Sequence, residues 1–557
     1  MPRLVLGPLL RYVSGTEATV WVETASPCTV TVLGRDASTF TVAGHHYALV
    51  LLEGLQPGST TPYEVHLDGV PCWPPPGDAY PHCVIRTYTD DESLRLAFGS
   101  CRVSVPHTLP YALSKDEDDR GREVDALLAL VERMRHEPQA EWPDALLLLG
   151  DQVYADEVSP ETKELIARRR RGDDGPPPDE VGDFEEYTAL YRESWADPAL
   201  RWLLSTVSSA MIFDDHDVHD DWNISAAWIE QMRAKPWWED RVLGAYMSYW
   251  IYQHLGNLSP SRLYDDPIFC AVQDADGDCE QLVRDFARTA VREIAGARWS
   301  YYRDFGRTRL VVVDSRAGRV LTEGRRQMLS DAEWEWIEDC CNGDFDHLVI
   351  GTSLPVMLAD GLHHLEAWNE AVCDGAWGGL AARLGEKLRQ ALDLEHWAAF
   401  EGCFARMAVL LEDVAAGRRG RAPATIVLLS GDVHHAYLAE AWFPGREVQS
   451  RVLQATCSPV RNPLDKRERR GLRAAFTRPV AAIARGLARS AGVRPVPMRW
   501  TFAQEPTFDN QVARLDLRGR DAELRIEKTV PRDWQEPKLH CVLSLGIAPK
   551  AGGQRPP

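Results

Sequence analysis

Metal-ligating and anion-binding side chains follow several apolar runs of this sequence, at the point where each run ends. The runs and the residues after them are 145–149 with Asp151 and Tyr154, 209–213 with 214–217, 309–313 with 314–316, and 425–429 with Asp432 and His434. Unbroken apolar runs of this kind are typical of strands buried on both faces. Because α/β sheets bind ligands outside the carboxyl ends of their strands, we expect these residues to form a single site. That concentration of charge predicts a metal ion or a phosphate group.

The residue types favour a metal centre. Asp151 and Tyr154 are three apart in a loop that leaves a strand, and tyrosinate is a hard anionic ligand that suits a trivalent ion such as iron(III). Asp432 and His434 are two apart, which places both on the same face of an extended segment. Residues 214–217 offer carboxylates beside a histidine. Any one of these strand ends could be a simple turn, since Asp and Gly are common in turns, but together they favour a site.

Cys101 ends a further predicted strand at 94–101 and adds a thiolate to the candidate ligands. The alternative is a free cysteine of the core, and the position at a strand end favours the ligand. The chain has twelve cysteines and no Cys-x-x-Cys pair, so a zinc ribbon is not indicated. We expect free thiols.

Composition limits the class of protein. The 557 residues carry a formal net charge of −21, which argues against a nucleic-acid duplex as a partner, because a phosphate backbone needs a basic surface. No apolar stretch is long enough for a transmembrane helix, and the first residues do not have the pattern of a signal peptide. We therefore expect a cytoplasmic protein, and a monomer.

The elements that must position these residues are predicted to form two domains. Residues 1–92 contain short alternating segments separated by turns, which predict a β-sandwich, and 55–63 resembles the turn of a fibronectin type III domain. His45 and His46 are expected in a surface turn rather than as a metal pair. Residues 93–545 alternate apolar runs with helical patterns, which predicts an α/β domain, and 546–557 are expected to be a disordered tail.

Helical patterns and a final pair of strands complete the predicted α/β domain. Helices are expected at 123–136, 185–206, 224–255, 280–297 and 378–415, and a hairpin at 511–517 and 522–528.

Residues 461–490 carry nine basic and two acidic residues inside an acidic protein. The half at 476–489 has an amphipathic helical pattern, so the segment could contact an anionic membrane surface. The alternative is a solvated helix over the core, which Pro479 and Gly486 favour because they weaken an independent helix.

Several motifs follow one another along the chain: 99–101, 150–154, 214–217, 314–319, the expected helix 327–337, and 430–434. In these segments and their order, the sequence resembles the PhoD-like alkaline phosphatases, relatives of the purple acid phosphatases among the calcineurin-like metallophosphoesterases.

The resemblance implies a four-layer sandwich in which two mixed β-sheets are flanked by helices, preceded by a fibronectin-like domain. It also implies a centre of iron(III) (Fe3+) and one or two calcium ions (Ca2+), with Mn2+ or Zn2+ as substitutes. By analogy, Cys101, Asp151, Tyr154 and His434 are iron ligands. The analogy makes Asp151 shared between ions and places Asp215 and Asp432 on the calcium side.

The sequence departs from the family pattern at several positions. Arg102 stands where members commonly have Gln, and His435 stands where a small residue is usual. Asp220 and Asp221 lie near positions where asparagine often appears. More carboxylate would favour harder or additional cations.

The expected reaction is hydrolysis of phosphate mono- or diesters by a metal-activated hydroxide. His216 is the candidate acid for the leaving group, oriented by Asp217 or a neighbouring carboxylate. Arg316 and Arg319 could clamp substrate oxygens or form internal salt bridges.

Two alternative functions remain open. One is a phospholipid phosphodiesterase, similar to a phospholipase D, that acts at membrane surfaces through 461–490. The other is a phosphate-binding protein on the same fold that has lost turnover. The intact set of candidate ligands argues against the second alternative.

Overall fold

The structure is a computed structural model that describes residues 2–89, 93–170, 175–294, 296–322 and 324–549. The strands of the N-terminal region are β1 Leu4–Val13, β2 Glu17–Thr24, β3 Thr29–Val32, β4 Arg35–Ser38, β5 Phe40–Val42, β6 His45–Glu53, β7 Thr60–Pro62, β8 Val65–Leu67, β9 Val70–Trp73 and β10 Val84–Arg86. The later strands are β11 Leu94–Gly99, β12 Ala145–Leu149, β13 Ser208–Ile212, β14 Tyr301–Phe305, β15 Thr308–Val313, β16 Val320–Thr322, β17 Arg325–Gln327, β18 His347–Thr352, β19 Thr425–Ser430, β20 Tyr437–Trp442, β21 Arg451–Thr456, β22 Arg499–Phe502, β23 Gln511–Arg518, β24 Asp521–Thr529 and β25 Leu539–Gly546.

The helices lie between the later strands. They are α1 Ala126–His136, α2 Pro160–Arg169, α3 Phe184–Trp195, α4 Pro198–Thr206, α5 Ala226–Arg233, α6 Trp238–Ser248, α7 Pro260–Tyr264, α8 Pro267–Asp274, α9 Glu280–Arg292, α10 Asp331–Cys340, α11 Asp360–Cys373, α12 Gly379–Ala391, α13 Glu401–Ala415, α14 Lys466–Ala475 and α15 Arg478–Ser490. A π-helical turn, Tyr249–His254, continues α6.

The N-terminal region is a β-sandwich, as predicted. A sheet of order β1-β2-β6-β5 faces a sheet of order β4-β3-β8-β9, and alternate residues of both sheets fill the core between them. The prediction for His45 and His46 is wrong: both lie in β6 rather than in a turn. Residues 90–92, where the domain boundary was predicted, lie outside the described residues.

The α/β region contains two large facing sheets among the described residues. Their orders are β13-β12-β11-β23-β24-β25 and β14-β15-β18-β19-β21-β20-β22, and each mixes parallel and antiparallel pairs. At Gly351 in β18 an added side-chain carbon would lie 3.3 Å from Leu147 and Leu149 of β12, so the sheets approach closely. Helices α1 and α4 cover the first sheet, and α10 and α13 cover the second. The result is a mixed α/β arrangement of four layers.

The parallel registers bring the strand ends to one level. Gly99 of β11 is paired with Leu148 of β12, and Leu149 is paired with Ile212 of β13. In the second sheet, β15, β18 and β19 run parallel in the same way. The residues that follow these strands therefore meet at one edge, as the sequence predicted.

Several predicted helices are shorter than expected, because their sequences contain caps. The segment predicted as one helix at 185–206 is two helices, because Asp197 accepts hydrogen bonds from the first N–H groups of α4 and Pro198 opens it. The helix expected at 327–337 starts at Asp331, where Ser330 caps it. The predictions at 224–255 and 378–415 are each interrupted, and α2 and α11 were not predicted.

The end of the chain also differs from the prediction. The hairpin is confirmed as β23 and β24, and β25 extends their sheet. Ile547 is buried, so packed structure continues past the predicted boundary at 545. Residues 550–557 of the predicted tail lie outside the described residues.

One hydrophobic cluster contains residues from both regions, in addition to the core of the sandwich. Arg11 of β1 is fully buried and donates hydrogen bonds to the carbonyl oxygens of Tyr252 and Gln253 in the π-helical turn, both at 2.7 Å. His45 lies between Glu23 at 3.1 Å and Glu185 at 2.8 Å. Burial lowers the pKa of His45, but the two carboxylates outweigh it and raise the pKa to about 9.

All twelve cysteines are free, as expected. In the part of the chain that the structure describes, no helix is both long enough and apolar enough to cross a membrane.

Replacing Arg11 with Leu is expected to destabilise the protein. The carbonyl groups of Tyr252 and Gln253 would lose their donors, and each buried acceptor without a partner costs about 1–3 kcal/mol. We expect the free energy of unfolding from urea denaturation to fall by about 2–5 kcal/mol. Arg3→Leu, at an exposed position, is the matched control and should change it by less than about 0.5 kcal/mol. Equal effects of the two changes would contradict this assignment.

Candidate metal centre

Residues at the strand ends adopt left-handed backbone conformations. The φ angles are +58° at Cys101, +52° at Asp151, +65° at Asp432 and +51° at His434. Such a conformation is uncommon for residues other than glycine and costs about 1–3 kcal/mol at each position. Four of the twelve non-glycine residues with such a conformation in the described part of the chain are predicted ligands, and their loops aim these side chains through it.

Glycine is required where these loops pass close to other groups. A side-chain carbon at Gly150 would lie 2.6 Å from Cβ of Asp214. One at Gly431 would overlap the hydroxyl of Ser100, which accepts a hydrogen bond from the backbone N–H of Asp432 at 3.0 Å. The absence of a side chain at these positions lets the loops pack together.

Asp151, Asp214 and Asp215 form a buried group of carboxylates. One oxygen of each lies within 4.8 Å of the others. Asp151 Oδ1 and Asp214 Oδ2 are buried and have no hydrogen-bond partner among the described residues, and Asp215 Oδ1 has an ion-pair contact with Arg316 Nη2 at 3.2 Å. Burial raises the pKa of all three carboxyl groups. Converging carboxylates without donors are costly unless a cation neutralises them, so these oxygens fit a metal ion.

Asp215, His216 and Asp220 form a second possible ligand group, again within 4.8 Å. Asp215 belongs to both groups, so two neighbouring cation positions can share it. Asp220 is one of the residues at which the sequence departs from the family pattern.

Cys101 and Tyr154 lie beside the first group. The Cys101 thiol is 3.2 Å from Asp151 Oδ2, and Tyr154 Oη accepts a hydrogen bond from Asn462 Nδ2 at 3.3 Å. The Tyr154 ring centre is 4.5 Å from that of His216. Burial is the main cause that raises the pKa of both Cys101 and Tyr154. Both groups therefore need a nearby cation to be ionised near neutral pH.

Asp432 and His434 complete the predicted ligand set. The Asp432 backbone oxygen is 3.6 Å from the Cys101 sulfur. Burial raises the pKa of Asp432, but the hydrogen bond from His396 outweighs it and the pKa falls to about 2. Burial lowers the pKa of His434 to about 3, which keeps it in the neutral form that binds metals. Contacts with one another or with Arg316 bring Cys101, Asp151, Asp215 and Asp432 together. The metal-binding roles of all six predicted ligands stay predictions.

Asp217 does not orient His216, contrary to the first of the predicted possibilities. Its carboxylate accepts hydrogen bonds from the backbone N–H groups of Asp151 at 3.1 Å, Asp214 at 3.0 Å and Val153 at 3.3 Å. The contact with His216 Nδ1 is made by Asp156, at 2.9 Å. Asp217 therefore holds two metal-binding loops together, and Asp156 orients the histidine.

Arg316 and Arg319 have no exposed side-chain surface. Arg316 forms ion pairs with Asp214 and Glu395, and its Nη2 is 3.2 Å from Asp215 Oδ1. Arg319 Nη1 is 3.0 Å from Glu395 Oε2. These contacts are the internal salt bridges that the sequence left as an alternative, because burial makes paired carboxylates the available partners. A clamp on substrate stays a prediction.

Two of the positions that depart from the family pattern, Arg102 and His435, are buried. Arg102 is buried, and its Nε is 2.8 Å from Asp125 Oδ2. His435 is buried between aromatic rings, with ring centres 5.3 Å from Tyr437 and 5.5 Å from Phe508.

Sequence reasoning missed several supporting residues. His396 donates to Glu366 at 2.6 Å and lies 3.1 Å from Asp432 Oδ2, so it holds that ligand. It follows no apolar strand, and no local pattern marks it. Asp156 was within reach of the sequence, because it lies two residues after Tyr154 in the same loop. Asn462 lies in the basic segment 461–490, and no sequence pattern marked it as a residue of the site.

Comparisons with known proteins agree with this geometry. A domain family of unknown function (DUF7800) matches residues 1–85, and the PhoD-like phosphatase family matches residues 128–469, more than half of the chain. A solved structure described as PhoD is 12% identical, with a TM-score of 0.61, and the match covers 98% of this chain and 90% of that one. That likeness shows the fold.

A second solved structure, purple acid phosphatase PPD1 from seeds of yellow lupin (Lupinus luteus), is 11% identical with a TM-score of 0.47. The match covers 98% of this chain and 74% of that one. No curated protein sequence matches the chain.

Replacing Asp217 with Asn is expected to weaken metal binding although Asp217 is not a predicted ligand. An amide has one acceptor oxygen, so part of the N–H set that holds the loops of Asp151 and Asp214 is lost. We expect metal affinity to fall by about 10- to 100-fold, measured by metal content after dialysis against a chelator. Asp119→Asn, at an exposed position, is the matched control. Unchanged metal content in both variants would contradict the role.

Proposed function

Because this chain belongs to the PhoD-like phosphatase family and is therefore a phosphoesterase, we propose that it hydrolyses phosphate mono- or diesters at the metal centre at its strand ends. The observation that carries the proposal is the buried group of Asp151, Asp214 and Asp215, in which Asp151 Oδ1 and Asp214 Oδ2 have no hydrogen-bond partner among the described residues and fit a cation. The same oxygens argue against a fold that has lost its metals and kept only binding.

The donor set suggests which cations are held. We propose iron(III) at Cys101, Asp151, Tyr154 and His434, because thiolate, phenolate, carboxylate and imidazole together suit a trivalent transition metal. Calcium would lie on the side of Asp215 and Asp432, where the donors are oxygens. Mn2+ or Zn2+ are the substitutes. Bound cations supply Lewis acidity, which lowers the pKa of water and neutralises phosphoryl oxygens.

His216 is positioned to donate a proton to the leaving group. Asp156 accepts from Nδ1 at 2.9 Å, which fixes the ring and leaves Nε2 directed toward Asp220 at 3.7 Å. Burial lowers the pKa of His216, but the Asp156 carboxylate outweighs it and raises the pKa above its ordinary value. The imidazole is thus held in its protonated form, as a general acid requires.

The N-terminal sandwich supports the loops of the metal centre. We propose that this sandwich is fibronectin type III-like. It packs against the π-helical turn, from which Gln253 Nε2 donates to Asp217 at 3.3 Å. Asp217 in turn holds the loops of Asp151 and Asp214.

Phospholipid diesters are the second candidate substrate. The observation that favours them is the outward face of α15, which is uncharged and is described below. The chemistry would be the same, and only the substrate would differ.

The iron(III) proposal predicts a coloured protein. Charge transfer from the Tyr154 phenolate should give a visible absorption band, and Tyr154→Phe should remove it. Tyr302→Phe, a tyrosine outside the centre, is the control and should leave the band unchanged. A colourless and fully active protein that contains only zinc or manganese would show that the metal assignment is wrong.

The acid role of His216 predicts a dependence on the leaving group. His216→Ala should keep its metals and lose about a hundred- to ten-thousandfold in rate on alkyl phosphate esters, whose alkoxide needs a proton. On aryl esters, whose phenolate leaves unaided, the loss should be much smaller. His136→Ala, an exposed histidine, should change neither rate.

Metal analysis of the His216→Ala protein separates the remaining roles. Loss of metal would make His216 a ligand with Asp215 and Asp220. Equal loss on both ester types with metals retained would mean that it stabilises the phosphoryl oxygens.

A further inference from the structure

Helix α15 packs on the protein through its smallest side chains. Ala481, Ala484 and Ala488 are buried, and this face packs closely along α11. Larger apolar side chains of the same helix lie elsewhere, and Ile483 is 67% exposed. An ordinary surface helix buries its large apolar residues and exposes its charges. In α15 the arginines are exposed as usual, but the large apolar side chain of Ile483 is exposed as well.

The outward face of α15 carries no charged residue. With about 3.6 residues per turn, the side opposite the buried alanines is formed by residues that are all uncharged. These residues are Pro479, Ala482, Ile483, Gly486 and Ser490. Arg478, Arg485 and Arg489 lie together along one flank of this face. A solvated helix over the core, the alternative from the sequence, does not explain an uncharged outward face.

A cavity of about 350 Å³ opens beside the arginine flank. Its wall includes Arg485, Arg489, Arg494 and Arg499, together with Trp442. Arg485 is 3.5 Å from Asp360. Arg489, Arg494 and Arg499 form no ion pair within the described ranges of the chain, although the protein has a net charge of −21. Unpaired arginines around an enclosed space are suited to a phosphate group.

We propose that α15 lies on an anionic phospholipid bilayer. The uncharged face, with Ile483 at its centre, enters the interface, and the arginines of the cavity bind lipid phosphate. We assign an anionic bilayer to this surface because the two match in polarity and charge. The apolar outward face of the helix matches the acyl layer, and the arginines on its flank match the phosphate layer.

Packed rings connect the helix before α15 with a neighbour of the metal centre. In α14, which precedes α15, Arg473 lies 4.9 Å over the ring of Phe508. That ring is 5.5 Å from His435, the neighbour of the predicted ligand His434. Binding through α15 would therefore bring the centre close to the lipid surface. Membrane binding does not require hydrolysis, so the two proposals can fail separately.

Sedimentation of the full-length protein with vesicles tests the proposal. The protein should sediment with vesicles of phosphatidylcholine and phosphatidylglycerol at low salt, and not with phosphatidylcholine alone. Salt should release it, since attraction to surface charge decays within a Debye length of about 8–10 Å at physiological ionic strength.

Two variants separate the parts of the surface. Ile483→Glu should abolish binding, because it places a charge in the interface. The matched control is Ile294→Glu, which changes an isoleucine that is 45% exposed on another part of the protein and should bind normally.

Combined replacement of Arg489, Arg494 and Arg499 by Gln should lower the partition coefficient on the order of a hundredfold. Its control replaces three exposed arginines elsewhere and makes the same change in net charge. Those residues are Arg120, Arg168 and Arg292, with side chains 62%, 79% and 65% exposed.

Hydrolysis of a soluble aryl phosphate diester is measured for every variant. Lost vesicle binding with retained hydrolysis supports the membrane surface. Equal binding of both vesicle types, or equal effects of variants and controls, overturns it. Absence of vesicle binding together with thermal stabilisation by glycerol phosphate, lost in the triple variant, also overturns it and identifies a site for a soluble anion. Failure of hydrolysis in the unaltered protein bears only on the proposed reaction.

Discussion

The repulsion between buried carboxylates is the constraint on which the rest of this structure depends. Asp151, Asp214 and Asp215 converge at the strand ends, and Arg316 provides a fixed positive charge against them. Because Arg316 also pairs with Glu395, it leaves most of the negative charge to be neutralised by cations. The carboxylates of the centre therefore need a metal ion to balance their charge. The fold must hold them in place before the metal binds.

Backbone groups, rather than the ligands alone, hold that geometry. The Asp217 carboxylate accepts hydrogen bonds from backbone N–H groups of two loops, and His396 forms a hydrogen bond with the Asp432 carboxylate. Asp151 and Asp432 keep their left-handed backbone conformations because these hydrogen bonds hold the two residues in place. The parallel strands set the level of the loops, and these hydrogen bonds set the direction of each side chain.

Much of this architecture could be predicted from local patterns. Apolar runs followed by possible metal ligands predicted the strand ends. The order of these motifs along the chain indicated the family, which the match over 128–469 confirms. The supporting contacts could not be predicted, because they join distant parts of the sequence: His396 contacts Glu366 and Asp432, thirty or more residues away on either side. For Arg316 the pattern left two roles, and only packing showed which groups surround it. Helix ends were missed for a simpler reason, since caps such as Asp197 are short-range signals that override periodicity.

The buried guanidinium of Arg11 joins the N-terminal sandwich to the π-helical turn, and the turn carries Gln253 beneath Asp217. The phosphatase region without the sandwich would keep Gln253 but would lose the Arg11 donors that hold the turn carrying it. Separating the two regions would break this hydrogen-bond path, so substitutions on one side of the contact are constrained by the other.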